Sequence, residues 1–338
     1  MATLEERIAA LEAMLAALGT PDDYYVSRYS GEEIDDLLGK ANAAIRYDAA
    51  QSLTAAQQHT AQKNIGTTWP CNPNLLDNWY FGNPVNQRGQ TSYTGEIYGI
   101  DRWKGRWTGD GTATITGNGL KLFRAGHPAH NLQNIEHPER LAGQVVTLSI
   151  LAKNGYSAIV INGAEQTFNG ITSLGVKSNT ITLPDPLTSL AVEVLSAADE
   201  TDNLFLAVKL ELGDTQTLAH KEGDTWVLNE IPDYGEQLRR CQRYFVRLRQ
   251  YAQARATQIV QDYIDFSVVV PEAMRACPVI TGGTAYVDRI TSASVDGFSF
   301  AVAAQSANNI RLRASKTGHG LTDATLEVSD YLDLSADL

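Results

Sequence analysis

Apolar residues recur at alternating spacings of four and three at the start of the chain. They are Leu4, Ile8, Leu11, Leu15 and Leu18. This spacing forms the a/d seam of a coiled coil, and Arg7 and Glu12 occupy the flanking g and e positions. Thr3 and Glu6 form a capping box in front of the helix. The pattern predicts a short coiled coil over residues 3–19 that joins copies of the chain, and the alternative is a helix packed on its own domain.

Two more helices are predicted before the β-rich part of the chain. Capping boxes that begin at Ser30 and Thr54 predict helices over residues 30–45 and 54–66. Each helix is too short to be stable alone. Residues 1–70 are therefore predicted to be a helical attachment and trimerisation region rather than a globular domain.

The helical pattern ends at residue 72, where glycines and prolines become frequent. This part of the chain also carries large aromatic side chains, which suit either a sheet core or a surface on which sugar rings stack. They are Trp79, Tyr80, Tyr93, Tyr98, Trp103 and Trp107. We predict these six as candidate glycan-binding residues, with one or two facing solvent, and the alternative is that most of them belong to the core.

After Trp107 the pattern changes to alternation with a period of two. The strand-length runs are TATITGNGLKLF, VVTLSILAK, SAIVING, NTITL, LAVEVL and LFLAVKLEL, with turn residues between them. They predict an antiparallel β-sandwich over residues 71–232, most simply a jelly roll. Residues 133–136 are expected to enter one of its strands.

A second series of strand-length runs follows. It includes IVQDYIDFSVVV, TAYVDRITSASVDGFSFAVAA and NIRLRAS, and residues 234–255 precede it as a short helix or a long strand. This series predicts a smaller C-terminal β-sandwich domain over residues 233–338. The predicted fold class is mainly β, with an N-terminal coiled coil and helical connectors, a jelly-roll β-sandwich and this smaller domain.

Charge and composition narrow the choice of partners. The net charge of −12 argues against nucleic acid and against anionic membranes as partners. No apolar run of about 18 residues is present, so membrane insertion is not expected. The first residues are acidic where a secretory signal is basic, which predicts synthesis and folding in the cytoplasm. Cys71, Cys241 and Cys277 are predicted to be unpaired, reduced and mostly buried.

No motif of nucleophilic, phosphate-binding or zinc-dependent catalysis is present, so the chain is predicted not to be an enzyme and no catalytic residue is assigned. A glycosidase needs two facing carboxylates. Candidates such as Asp101, Asp110, Glu136 and Glu139 are four of 39 acidic residues, which gives no pair special weight.

Two groups of side chains resemble metal sites. His127 and His130 lie near Glu136 and His137, but the neighbouring prolines predict a solvated loop without fixed geometry. A second loop offers oxygen ligands for calcium, although a solvated turn is the favoured interpretation. Its residues are Asp199, Glu200, Asp202 and Asn203. No metal ligand and no cofactor is therefore predicted, and calcium remains the alternative.

Several segments resemble tail fibre proteins of phages and prophages of gut Firmicutes. The segments NLLDN, NPVNQRGQ and IDRW resemble, in this order, the opening of a receptor-binding or carbohydrate-binding-like module. Two upstream segments, YYVSRYSGEEIDDLL and LTAAQQHTAQKNIG, are similar to connector motifs of tail fibre and baseplate-attached proteins. The second matches a recurrent pattern at Leu53, Thr54, Ala56, Gln57, Ala61, Asn64, Ile65 and Gly66. Downstream, LQNIEHPERLAGQVVTLSILAK and KLELGDTQT resemble the body of that module. A C-x-RYF signature resembles its junction with a C-terminal β domain and is carried by Arg240, Cys241, Arg243, Tyr244 and Phe245.

The resemblance implies a homotrimeric virion protein of a phage tail or a related contractile particle, made in the host bacterial cytoplasm. It implies that the N-terminal region docks on other tail or baseplate proteins and that the β modules attach to bacterial surface glycans. One alternative is a tail-associated enzyme that degrades glycans. Another is a structural collar or spacer that binds neither cells nor glycans.

Overall fold

The computed structural model describes residues 3–17, 29–42, 57, 61, 71–106, 109–289 and 292–338. Strands make up 46% of the described residues and helices 13%, so the predicted mainly-β class is confirmed. Residues 1–69 and 70–338 form two compact units. None of the helices in the described residues is long and apolar enough to cross a membrane.

Both described helices of the first unit begin with the predicted capping boxes. Helix α1 (Leu4–Ala17) starts after Thr3, whose hydroxyl accepts a hydrogen bond from the Glu6 N–H, while the Glu6 carboxylate accepts one from the Thr3 N–H at 2.8 Å. Helix α2 (Gly31–Asn42) starts in the same way with Ser30 and Glu33. The predicted third helix lies outside the described residues, apart from Gln57 and Ala61, which are helical.

The predicted coiled-coil seam of α1 is exposed. Leu4, Leu11 and Leu15 are 66–73% exposed and Ile8 is 47% exposed, whereas Leu18 lies outside the described residues. No described residue of α1 is buried. The helix therefore offers an apolar stripe that the described part of the chain does not cover, and self-association through it stays a prediction.

Two antiparallel sheets make up the first β module of the second unit. The first has six strands in the order β1-β3-β4-β11-β6-β9, and the second has five in the order β2-β5-β10-β7-β8. The strands of the first sheet are β1 (Ser92–Thr94), β3 (Thr112–Thr116), β4 (Gly119–Phe123), β6 (Val145–Lys153), β9 (Gly175–Thr182) and β11 (Leu204–Leu212). The strands of the second are β2 (Lys104–Gly105), β5 (Ala129–Asn134), β7 (Tyr156–Ile161), β8 (Ala164–Thr167) and β10 (Leu190–Ser196).

The two sheets share one hydrophobic core. Leu148 and Ile150 of β6 belong to the same buried cluster as Val192 and Val194 of β10. Successive side chains of a strand point to opposite faces, so the alternating apolar positions of both sheets meet in one layer. The first β module therefore consists of two antiparallel sheets that share one hydrophobic core.

A second β module follows a short hairpin and one helix. The hairpin is β12 (Ala219–Glu222) with β13 (Thr225–Leu228), and helix α3 (Tyr234–Gln242) is capped by the Asp233 carboxylate. The eight-stranded sheet has the order β18-β17-β21-β15-β16-β20-β19, with β14 paired to β21. Its strands are β14 (Phe245–Arg249), β15 (Gln253–Val260), β16 (Tyr263–Val269), β17 (Val279–Arg289), β18 (Ser292–Val295), β19 (Ser299–Ser306), β20 (Asn309–Ser315) and β21 (Thr325–Ser335). It has its own hydrophobic core, which includes Phe266 and Leu312.

Several strands escape the sequence pattern. Strand β5 contains His130, which was predicted to lie in a loop, and it ends at Asn134, short of the expected Glu136. Its core-facing positions are Ala129, Asn131 and Gln133, so small and polar residues hide the alternation. The hairpin β12–β13 and strand β21 were also not predicted, because charged residues interrupt their apolar runs.

The cysteines are unpaired as predicted, but their exposure differs from the expectation. Cys241 is buried, whereas Cys71 and Cys277 are exposed. The segment predicted as a helix or a long strand contains both kinds of element, since α3 is followed by β14 and β15.

Candidate functional site

The predicted aromatic platform is mostly part of the core. Trp79, Tyr93 and Trp103 are at most 4% exposed. The indole N–H of Trp103 donates to the Asn78 carbonyl at 2.9 Å, and its ring packs edge-on against Phe81. The burial of these three residues agrees with the alternative that they belong to the core, and a role for them in glycan binding stays a prediction.

The other three predicted aromatic residues lie differently. Tyr80 and Tyr98 are half-buried, and Trp107 lies outside the described residues. The ring of Tyr80 packs against Gly82, where a Cβ would lie 2.6 Å from it. The Tyr98 hydroxyl donates to the carbonyl of Leu338. Because three of the five described residues are buried, these five do not form one exposed surface.

The segment that carries these aromatic residues joins the two β modules instead. Arg88 donates to Asp101 at 2.9 Å and to Asp337 at 2.8 Å, and its guanidinium lies 3.7 Å from the ring centroid of Phe245. The side chains of Asp101 and Asp337 are only 1% and 6% exposed. A largely buried cation is thus held between two buried carboxylates, one from each module.

A second arginine connects the same modules beside the first. Arg102 donates to Asp77 at 3.1 Å and to the Asn134 carbonyl at 2.8 Å, and it lies 3.5 Å from the ring centroid of Tyr244. The Tyr244 hydroxyl donates to Glu136 at 2.7 Å. The residues of NLLDN, NPVNQRGQ, IDRW and the C-x-RYF signature therefore meet at this place, which we call the module junction.

Burial raises the pKa values of three acidic groups at the module junction. It raises the pKa of Asp101 to about 6, although Arg88 favours the ionised form. It also raises the pKa of Asp337, and it raises that of Tyr244 to about 12. Burial acts in the same direction on Glu136, but the Tyr244 hydrogen bond and nearby arginines outweigh it and lower the pKa of that carboxyl.

An open site lies on the five-stranded sheet of the first β module. Val192 and Val194 of β10 face the core, so Glu193 and Leu195 face the opposite side of the sheet. The strand registers place further residues on this outer face, namely Lys104, His130, Leu132, Asn134, Tyr156, Val160, Glu165 and Thr167. The outer face thus combines apolar surface with hydrogen-bonding groups from five strands.

Two cavities lie on this outer face. One has a volume of about 240 Å³ and is lined by residues that include Lys104 and Asn134. The other has a volume of about 480 Å³ and is lined by residues that include Tyr156 and Thr167. We call the outer face with its two cavities the outer groove. Arg106 lines the first cavity and bonds to Glu165, which lines the second, so the two are neighbours.

An ion network stands between the two cavities. Arg106 donates to Glu165 at 2.8 Å and also to Glu193, and His130 Nδ1 lies 2.7 Å from the second oxygen of Glu193. Glu193 is fully buried. Burial acts to raise the pKa of Glu193, but the bonds to His130 and Arg106 prevail and lower it. The network holds an ionised carboxylate beneath the groove.

Tyr156 gives the larger cavity a fixed aromatic wall. Its ring packs on Gly170, where a Cβ would lie 2.5 Å from the ring, so only glycine permits this position. Leu195, which pairs with Tyr156 across the strands, continues the apolar wall. An apolar wall with a few convergent polar groups is the usual composition of a small-molecule site. Sequence periodicity does not reveal it, because its residues come from strands that are far apart in the chain.

The other candidate residues lie apart from the outer groove or are already engaged. The histidine group is split, because His130 points into the groove while His137 bonds to Glu139 at 3.1 Å. In the calcium candidate, Asp202 pairs with Lys153 at 2.6 Å. The Asn203 amide is buried and bonds to the backbone of Leu122 on both its oxygen and its nitrogen. These side chains stabilise the loop through their bonds to Lys153 and to the Leu122 backbone, and they do not converge on one point where an ion could bind.

The glycosidase candidates do not form a facing pair. Asp101 is buried in the module junction, and Glu136 is bound there by Tyr244. Glu139 and Asp110 are exposed and pair weakly with His137 and Arg124. None of the four lines the outer groove.

Comparison with known proteins adds no family. No protein-family model matches the chain, and no curated protein matches it. Among solved structures, vicilin from hazelnut (Corylus avellana) is similar at 10% identity over 72% of this chain and 84% of that chain, with a TM-score of 0.13. A score this low supports no conclusion about fold or function, so function has to be inferred from the site itself.

The module junction gives the first prediction. Arg88→Ala should lower the free energy of unfolding by about 3 to 5 kcal/mol, because it leaves Asp101 and Asp337 buried without their cation. Chemical denaturation at neutral pH measures the change. Lys153→Ala is the control, since its ion pair with Asp202 is exposed to water, which screens the attraction, and its loss should change stability little. Equal losses in both variants would contradict the role assigned to Arg88.

The raised pKa of Asp101 gives the second prediction. At pH 5 the folded protein holds a proton on Asp101, whereas the unfolded chain, with a pKa of about 3.9, has released it. Proton uptake on folding makes the folded state more stable as the pH falls from 7 to 5, by about 1 kcal/mol. The unfolding free energy of wild type minus that of Asp101→Asn should therefore be about 1 kcal/mol greater at pH 5 than at pH 7, because the asparagine takes up no proton. A smaller difference at pH 5 would show that Asp101 stays ionised in the fold.

Proposed function

We propose that the chain is a tail fibre or receptor-binding structural protein of a phage or a related contractile particle, and that the outer groove binds bacterial surface glycans. The observation that carries the glycan part of the proposal is the outer groove, with its two adjoining cavities on the strands of one sheet. The resemblance of the connector and module segments to tail fibre proteins supports the virion part.

The chemistry of the groove suits a sugar polymer. Sugar rings have apolar faces that stack on aromatic rings, and Tyr156 supplies such a ring beside Leu195. Their hydroxyl groups need donors and acceptors, which Lys104, Arg106 and Asn134 supply in the neighbouring cavity. Two adjoining cavities match consecutive sugar units better than a single compact ligand. A rigid sheet also lowers the ordering cost of binding.

The finer fold assignments belong to this proposal. The first β module would be a jelly roll, and α1 would form a parallel trimeric coiled coil through its exposed apolar stripe. Single sugar sites bind weakly, and three tethered copies raise avidity by ~10² to 10⁴ where the spacing fits. The N-terminal region would attach the trimer to the tail or baseplate, which places the protein in the virion.

A glycan-degrading enzyme is the competing function. Retaining and inverting glycosidases need one carboxylic acid that donates a proton. In the outer groove Glu193 is buried, bonded to Arg106 and His130, and its pKa is lowered. Such a carboxylate is a poor proton donor, so the geometry favours binding over hydrolysis. A purely structural spacer would leave the groove without a ligand.

The third prediction tests the outer groove. Labelled protein is applied to a panel of wall and capsular polysaccharides purified from gut Firmicutes strains. Tyr156→Ala should weaken binding by at least about tenfold, or about 1.4 kcal/mol, because the stacking wall is lost. Tyr234→Ala is the control, since Tyr234 is 45% exposed on α3 outside the groove.

Two results would contradict the groove assignment. One is equal binding by Tyr156→Ala and wild type, and the other is an equal loss in the Tyr234→Ala control. The same mixtures are assayed for new reducing ends. Their release would favour the enzyme, and a panel that binds no wild-type protein would favour the spacer.

The fourth prediction tests the coiled coil. Substituting Asp for Ile8, Leu11 and Leu15 should disrupt N-terminal association and weaken attachment to cells, because it places charges in the seam. Light scattering gives the mass and flow cytometry gives cell binding. Substituting Asp for Ala9, Ala10 and Ala13 adds the same charge away from the seam and should change neither. A wild-type protein that is monomeric at micromolar concentration would contradict the trimer.

A further inference from the structure

Three potential metal ligands converge in the outer groove from three different strands. They are His130 of β5, Glu165 of β8 and Glu193 of β10, and each offers one atom within 4.8 Å of the other two. Three atoms this close can all be reached from one point at about 2.8 Å or less, so side-chain movements of under about 1 Å would bring them to the distances of about 2.0 to 2.2 Å at which zinc is bound. We propose that these residues form a binding site for a divalent transition-metal cation, with Zn²⁺ as the best fit.

The positions of the three ligands are set by the sheet rather than by a loop. Glu193 pairs across the strands with Leu132, two residues from His130, and with Ala158 of β7. Glu165 pairs with Val160 of the same strand β7. Only small side-chain movements are needed to shorten the ligand distances, which is the usual requirement of a preorganised site.

A cationic group already occupies this position. One guanidinium nitrogen of Arg106 bonds to both Glu165 and Glu193. The two carboxylates thus create a place where positive charge is stabilised. The Arg106 side chain is 46% exposed, so it can turn into solvent without leaving a buried gap. A divalent ion would replace it and restore the charge balance around the buried Glu193.

The chemistry of the three ligands indicates the kind of ion. One imidazole and two carboxylates suit Zn²⁺, which is usually bound by nitrogen, sulfur and carboxylate ligands in a four-coordinate site. Calcium is less suited, because it prefers six to eight oxygen ligands. With three protein ligands a fourth position remains, and the cavity of about 480 Å³ that His130 and Glu165 line has room for a water there.

Zn²⁺ titration by calorimetry tests the site on the full chain. The titrated protein is a variant with Cys71→Ser and Cys277→Ser, because both thiols are exposed and would bind the ion themselves. This variant is the parent to which the further substitutions are added. One equivalent of Zn²⁺ should bind, and Glu165→Gln should weaken this binding at least tenfold. Arg106→Ala should tighten it at least tenfold, because the competing guanidinium is gone. Zn²⁺ should also raise the midpoint temperature of thermal unfolding, and the rise should be greater for Arg106→Ala than for the parent.

His137→Ala is the matched control, since His137 also lies beside two glutamates, Glu136 and Glu139, but at the surface. It should bind Zn²⁺ as the parent does. The proposal is overturned if Glu165→Gln binds like the parent, or if neither the parent nor Arg106→Ala binds one equivalent. Glu165 is partly exposed, so its variant stays informative even where Arg106→Ala folds poorly. The site does not depend on glycan recognition, and its failure would leave that proposal standing.

Discussion

Arg88, held between the buried carboxylates of Asp101 and Asp337, is the interaction on which the arrangement of the two β modules depends. The two carboxylates have been removed from water, and the cation of Arg88 between them offsets the cost of burying their charges. The contact is therefore specific, because a displaced module would leave at least one charge unpaired. Together with Arg102 and Tyr244, it explains why two separate hydrophobic cores belong to one compact unit.

The segments that resemble tail fibre proteins supply this junction, whereas the outer groove comes from other parts of the chain. NLLDN, NPVNQRGQ, IDRW and the C-x-RYF signature contribute Asp77, Arg88, Arg102 and Tyr244. Arg88 bonds to Asp337 and Arg102 stacks on Tyr244 across the junction, while Asp77 accepts a bond from Arg102. His130 and Tyr156 of the groove lie outside those four segments. The resemblance is thus informative about assembly, and the ligand has to be inferred from the sheet.

Local patterns in the sequence predicted local structure well. Both capping boxes of α1 and α2 form, and alternation correctly located strands such as β6, β11 and β20. The burial of Trp103 was not predictable, because it depends on Asn78 and Phe81 reaching it through a folded loop. The outer groove also could not be predicted, since it exists only once five strands are in register. Strand β5 shows why, because its polar core-facing residues conceal both the strand and His130.

The central claim is that the outer groove, and not the aromatic junction segment, contacts the glycan. Hydrogen–deuterium exchange of the full chain, with and without a wall polysaccharide that it binds, tests this most directly. The account predicts slower exchange in residues 129–134, 156–167 and 190–198, because bound sugar covers those strands. Protection confined to residues 72–103 or to the C-terminal sheet would contradict it.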